Sequence, residues 1–166
     1  MLELLLICVL HIILILAIVI LIQFSDNFNY CIRALLICCT LQALTIIFQI
    51  GTPVGLLYGP LLYLAGQAAR GKSFKRINSI HFIPFFLLTI VYSILSFGIS
   101  IAADWSTKLL SGYYPAYFIT MTLSLAAYPL ILIFQKKGRR HIDPWEEALL
   151  IQLSSLEIIL AIFMAA

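Results

Sequence analysis

Charged side chains are confined to a few short clusters, and the apolar runs between them are about twenty residues long, enough to cross a hydrocarbon core as a helix. Hydrophobic residues fill 63% of the positions and charged residues only 10%. A soluble domain carries about 25% charge, so lipid must solvate most of this surface. The runs are continuously apolar and lack the two-residue alternation of outer-membrane strands, which points to helices rather than a barrel. The expected fold is an all-α membrane protein: a bundle of six transmembrane helices forming a single domain over 1–166. The spans fall at approximately 4–23, 33–50, 53–69, 80–101, 113–134 and 145–164.

The first run is read as a retained helix. A cleaved signal peptide would need a basic leading region and a small-x-small cleavage site, and here Glu3 is acidic and no such site follows. Direction comes from the basic residues. With the spans alternating, one side receives Arg33, the Arg70–Arg76 loop and the Lys136–Arg140 loop, which together hold nine of the ten Lys and Arg. Lys108 alone falls on the other. Basic loops stay in the cytoplasm, so both termini are expected to be extracytoplasmic. Gly51-Thr52-Pro53 then makes a tight outer turn. Residues 102–112 form the longest outer loop, with Trp105, Tyr113 and Tyr114 at the interfacial belt.

The runs carry no phosphate-binding Gly-rich loop, HExxH, Gly-x-Ser-x-Gly or paired carboxylates within a span. No catalytic residue, metal ligand or cofactor is therefore assigned, and the chain is read as not an enzyme. Cys8, Cys31, Cys38 and Cys39 lack metal or disulfide spacing and read as small packing residues, with acylation of Cys31 as the alternative. The basic loops read as topology determinants that also meet anionic headgroups, not as nucleic-acid patches.

Ionisable groups inside spans are costly and so draw attention. His11 and Glu157 both lie about 10–13 Å below the outer ends of their helices, level enough to meet if the first and last helices are neighbours. They are the candidate ligand-binding pair, part of a ligand- or proton-responsive pocket; the alternative is an interhelical hydrogen bond that only fixes packing. Glu146 and Glu157 share a face with Leu150 and Leu153. Gln42 and Gln49 read as packing glue. Pro60, Pro84 and Pro129 are expected to kink their spans.

The segment Leu57–Phe86 reads LYGPLLYLAGQAARGKSFKRINSIHFIPFF. Leu57, Tyr58, Gly59, Pro60, Leu61 and Tyr63, a basic loop, and then His81, Phe82, Pro84 and Phe85 together resemble the membrane-embedded N-terminal sensor domain of bacterial AraC-type transcriptional regulators. The resemblance covers some thirty residues; elsewhere it is only the pattern of spans. In that family about seven helices precede a cytoplasmic helix-turn-helix that reads DNA. Here six spans are found and no helix-turn-helix, so the chain is read as truncated before the last helix and the DNA-binding domain. The resemblance implies a multi-pass sensor or signalling domain in the bacterial inner membrane, with Tyr58, Gly59, Pro60, His81 and Pro84 as motif and packing positions. Expected partners are membrane lipids, a small or lipid-soluble ligand and a further copy of the chain, with no direct nucleic-acid binding by these residues. A small multi-pass transporter or transporter subunit is the second reading, and a membrane-embedded enzyme the third.

Overall fold

A computed structural model of the chain describes residues 27–48, 51–72, 76–101, 103–135 and 143–165. All regular structure among them is helical. Helix α1 (Asn27–Ile47) leads to a 3-10 turn, Val54–Leu57, which runs straight into α2 (Tyr58–Ala69). A second 3-10 turn, Arg76–Phe82, opens α3 (Ile83–Ile101). Helices α4 (Ala103–Phe134) and α5 (Pro144–Ala165) complete the bundle. Four of these segments, Asn27–Ile47, Asn78–Gly98, Lys108–Phe134 and Pro144–Ala165, are long and apolar enough to cross a membrane. The run at 4–23 lies outside the described residues.

Exposed apolar side chains mark where lipid would sit. Phe97, Phe134 and Phe163 are 70%, 80% and 81% exposed, a surface that water would not tolerate over so many helices. Hydroxyls on these helices hide themselves by bonding one turn back. Thr40 donates to the Leu36 carbonyl (3.1 Å), Thr89 to Phe85 (2.7 Å), Thr120 to Ala116 (2.7 Å) and Ser155 to Ile151 (2.8 Å). A hydroxyl satisfied within its own helix adds little cost in hydrocarbon.

Helix α2 is the hub. It packs against α1, α4 and α5, and Leu62, Leu64, Ala65, Gly66, Gln67, Ala68 and Ala69 are all buried. Small residues allow this, because lipid-embedded helices associate through close backbone approach and not through apolar burial alone. Phe28, Cys31, Ile32 and Leu35 of α1, Leu132 of α4 and Leu150 of α5 pack around Leu62, Ala65 and Ala69. The 3-10 turn of 4 residues and the α-helix of 12 together reach only about 26 Å, a little short of a ~30 Å hydrocarbon core.

α2 stops because of Arg70-Gly71-Lys72. Gly71 takes φ 71°, its N–H bonds the Ala68 carbonyl (2.8 Å), and the Lys72 N–H bonds the Gln67 carbonyl (3.0 Å). This pair of bonds is the Schellman closure, which needs a residue at ease in the left-handed region. Gly71→Val is expected to cost about 1–2 kcal/mol of stability, measured by unfolding in a mixed SDS–detergent titration.

Three expectations change. Residues from Ala103 onward, expected in an outer loop, form the first turns of α4; no proline interrupts 103–112, the first being Pro115. Pro60 and Pro84, expected in mid-helix, fall just after the two 3-10 turns, as the third residue of α2 and the second of α3. A first-turn position is where a proline ring is best tolerated. Pro129 does sit inside a helix, and Pro115, which sequence reading passed over, shares α4 with it.

The bundle has two distinct ends. At one, the Gly51 N–H donates to the Tyr92 hydroxyl (2.8 Å), and the Tyr113 hydroxyl donates to the Gly51 carbonyl (3.0 Å). At the other, Trp145 packs edge-on against Phe28, with ring centroids 5.5 Å apart. The basic residue Arg70 lies at this second end.

Candidate functional site

Three polar clusters lie along α2. The first is built from the sequence signature. Tyr63 on α2, His81 in the second 3-10 turn and Tyr128 on α4 meet as a ring triad, with centroids 5.0 Å (Tyr63–His81), 5.5 Å (His81–Tyr128) and 5.8 Å (Tyr63–Tyr128) apart. The His81 Nδ1 and the Tyr128 hydroxyl are 3.1 Å apart, a hydrogen bond. Gly59 lies one turn before Tyr63, against the same part of α4. A Cβ built there would come 2.5 Å from Tyr128 Cδ2 and 3.0 Å from the Ser124 backbone oxygen. Pro84 and His81 line a cavity of about 350 Å³ with Leu56, Ser124 and Tyr128. Tyr128→Phe removes the bond to His81 and is expected to cost about 0.6 kcal/mol. The same SDS–detergent titration measures it.

The second cluster closes the basic end. Gln67 Nε2 donates to Gln135 Oε1 (3.1 Å), and Arg70 donates through Nη1 to the same oxygen and through Nη2 to the Leu132 carbonyl (2.8 Å). The carbonyls in the last turn of α4 have no partner within their own helix. The Gln135 N–H takes that of Ile131 (2.9 Å), and Arg70 takes that of Leu132, capping α4 from a different helix. Burial draws the Arg70 guanidinium below its ordinary pKa, opposed by nearby Tyr63 and Glu147; guanidinium stays cationic regardless. Arg70, Gln135, Glu147, Leu150, Ile151 and Ser154 face a crevice of about 250 Å³ between α4 and α5.

The third cluster surrounds Glu157. On α5, Glu146, Leu150, Ser154, Glu157 and Ala161 form the buried stripe, so the expected shared face of Glu146 and Glu157 is present, with Leu153 at its edge. Glu157 is 7% exposed, and its Oε2 has no hydrogen-bond partner among the described residues. Cys39 of α1 lies near it, with Tyr58 beside Cys39. His11, the partner expected from sequence, lies outside the described residues, as does Gln49. Gln42 Oε1 is buried without a partner among the described residues.

Of the residues singled out from sequence, the structure brings Gly59 and His81 to one joint through Tyr128, and sets Tyr58 between the two core clusters, near Cys39 and Tyr117. Pro60 is buried at the start of α2. Cys31 is enclosed in the core, which leaves its sulfur out of reach of acyl transfer. Among the described residues no group of His, Cys, Asp and Glu could hold a metal ion.

Tyr128, Gln67, Gln135, Arg70 and Glu147 were missed as site residues. A signal existed for two of them: Gln67 and Arg70 are three apart at the end of an apolar helix, on one face. Their partner on α4 had no local signature. Set beside known protein families, characterised proteins and solved structures, the chain matches none of them.

Proposed function

We propose that the chain is a membrane-embedded sensor or signalling domain of the kind that serves a transcriptional regulator. In this reading six spans cross the membrane, both termini are extracytoplasmic, and the basic end of the bundle faces the cytosol of a bacterial cell. One observation carries it: the signature residues Gly59, Tyr63 and His81, separated in sequence, converge with Tyr128 on a single joint between α2, the 3-10 turn before α3, and α4. The joint leads directly along α2 to Arg70 at the basic end. A ligand that shifts α4 against α2 changes the Arg70 cap, and with it the loop that output machinery would read. The likeness to the AraC-type sensor domain adds the nature of that output.

Orientation is checked by single-cysteine labelling in intact cells. Lys72→Cys is expected to react only with a reagent that enters the cytosol, and Lys108→Cys with an impermeant one; the reverse pattern rejects the topology. Function is checked by RNA profiles of cells carrying the wild-type chain, a deletion, or His81→Ala at equal expression. A defined set of transcripts changing in the deletion and staying changed with His81→Ala supports the sensor. Unchanged transcripts in the deletion remove it.

Glu157 favours a second reading, a small transporter or transporter subunit. A buried carboxylate within an apolar helix is a common mark of an ion or proton path. Proteoliposomes that acidify in response to a proton gradient, and fail to do so with Glu157→Gln, would favour that reading over the first.

A further inference from the structure

The cavity beside the ring triad is a slot along one face of α4. Thr120, Leu123, Ser124, Ala127, Tyr128 and Ile131 line it at the spacing of a single helix face, over about 16 Å at 1.5 Å per residue. Leu56, His81 and Pro84 close its other side. Leu123 and Ile131 are exposed, so the slot opens sideways, where lipid chains lie. The Thr120 hydroxyl is spent on the Ala116 carbonyl, which leaves that end apolar. The polar end is the pair His81 and Tyr128, and it lies toward the basic end of the bundle. Tyr128 is one turn before Leu132, whose carbonyl Arg70 takes. His81 follows Arg76 within the same 3-10 turn, about 10 Å along it at ~2.0 Å per residue. No acidic side chain lines the slot among the described residues.

The hydrogen bond to Tyr128 uses Nδ1 of the half-buried His81 ring and leaves Nε2 for a further partner. When Tyr128 donates to Nδ1, the proton of the neutral ring sits on Nε2, which becomes a donor. An acceptor seated there selects this arrangement. An anionic acceptor gains most, because a charge-assisted hydrogen bond is roughly twice as strong as a neutral one. The basic runs at 70–76 and 136–140, which lead into α3 and out of α4 at this end, favour the same sign. A volume of about 350 Å³ is at the small end for ligand sites, which suits one chain rather than two. We propose that this slot binds a single-chain fatty acid, its carboxylate on His81 Nε2 and its chain laid along α4 toward Thr120. The proposal rests on the sensor reading in taking this joint as the receiving site, and it names the ligand class.

The test uses the purified full chain in detergent at alkaline pH, with a palmitic acid that carries a diazirine in mid-chain. After photolysis the labelled peptides are located by mass spectrometry. Label falls on 120–131, and unmodified palmitic acid competes for it. Hexadecanol and methyl palmitate, with the same chain, compete about tenfold more weakly, the factor between a charge-assisted and a neutral hydrogen bond. His81→Phe keeps a ring against Tyr63 and brings the acid down to the level of the alcohol. Leu123→Trp fills the slot from an exposed wall and lowers labelling of 120–131 about tenfold. Equal competition by hexadecanol or the ester overturns the proposal, as does labelling unaffected by Leu123→Trp. Displacement by butyrate at the concentration of palmitic acid assigns the site to a soluble carboxylate, and equal competition by dioleoyl-phosphatidylglycerol assigns it to a two-chain lipid; either overturns it too. Selective labelling with unchanged transcripts in the deletion removes the sensor reading alone; transcript changes without acid selectivity remove this proposal alone.

Discussion

Gly59→Val separates α2 from α4 and leaves little folded protein. The two added methyls hang on a Cβ that already lies 2.5 Å from a Tyr128 ring carbon and 3.0 Å from the Ser124 carbonyl oxygen. Tyr128 can swing aside only by breaking its bond to His81, and a helix backbone cannot swing at all. Overpacking costs about 1–3 kcal/mol, and a clash with backbone belongs at the upper end. Much of the bundle depends on this contact, because α2 is the helix that joins α1 to α4 and α5. Unfolding in an SDS–detergent titration, with size-exclusion chromatography for aggregation, reads the loss. Gly112→Ala is the control. Gly112 is exposed, and a Cβ there meets nothing within 4 Å, so alanine is neutral or stabilises by up to about 1 kcal/mol through helix propensity. Equal stability of Gly59→Val and wild type would show that α2 and α4 do not approach this closely.

Arg70→Met has the second largest effect. It keeps the stem of the side chain and removes the donors that hold Gln135 and cap the Leu132 carbonyl. A hydrogen bond from a charged group contributes about 1.5–3 kcal/mol. Arg70 is half-buried, so screening reduces the pair to roughly 3 kcal/mol in total. The loss is local first: the final turn of α4, 131–135, exchanges its amide hydrogens faster while α1 keeps its protection. Arg70→Lys restores one bond at most, because an ammonium is a point donor and cannot bridge two acceptors as the guanidinium fork does. Full recovery with lysine would mean that charge alone, and not the two-pronged cap, holds α4.

Much of the architecture was legible before any coordinates. Continuous apolar runs between charge clusters require helices, since hydrocarbon leaves backbone groups no other partner. The end of the run at 53–69 was also readable, because the basic cluster that begins at Arg70 closes it, and α2 stops at Ala69. Reading failed where local sequence permits two outcomes. Residues 103–112 are polar enough for a loop and free of helix breakers, and α4 simply continues through them. Pro60 and Pro84 looked like interruptions because the two 3-10 turns before them are invisible to hydropathy.

The candidate site was legible in half. Gly59 and His81 stood out as part of a spaced signature, and Glu157 as a carboxylate inside an apolar helix. Their partners did not: Tyr128 is one of eight tyrosines, and Gln135 looked like the polar end of a span. Spacing along a chain reports which residues share a helix face, and nothing about which face of a distant helix lies opposite. The sequence by itself determined the solvent, the helical class and the ends of several helices, because those follow from transfer free energy and backbone hydrogen bonding one segment at a time. Only the tertiary structure decided that Arg70 caps α4, that His81 meets Tyr128, and that a charged crevice opens between α4 and α5, because each depends on how closely the small residues of α2 let its neighbours approach.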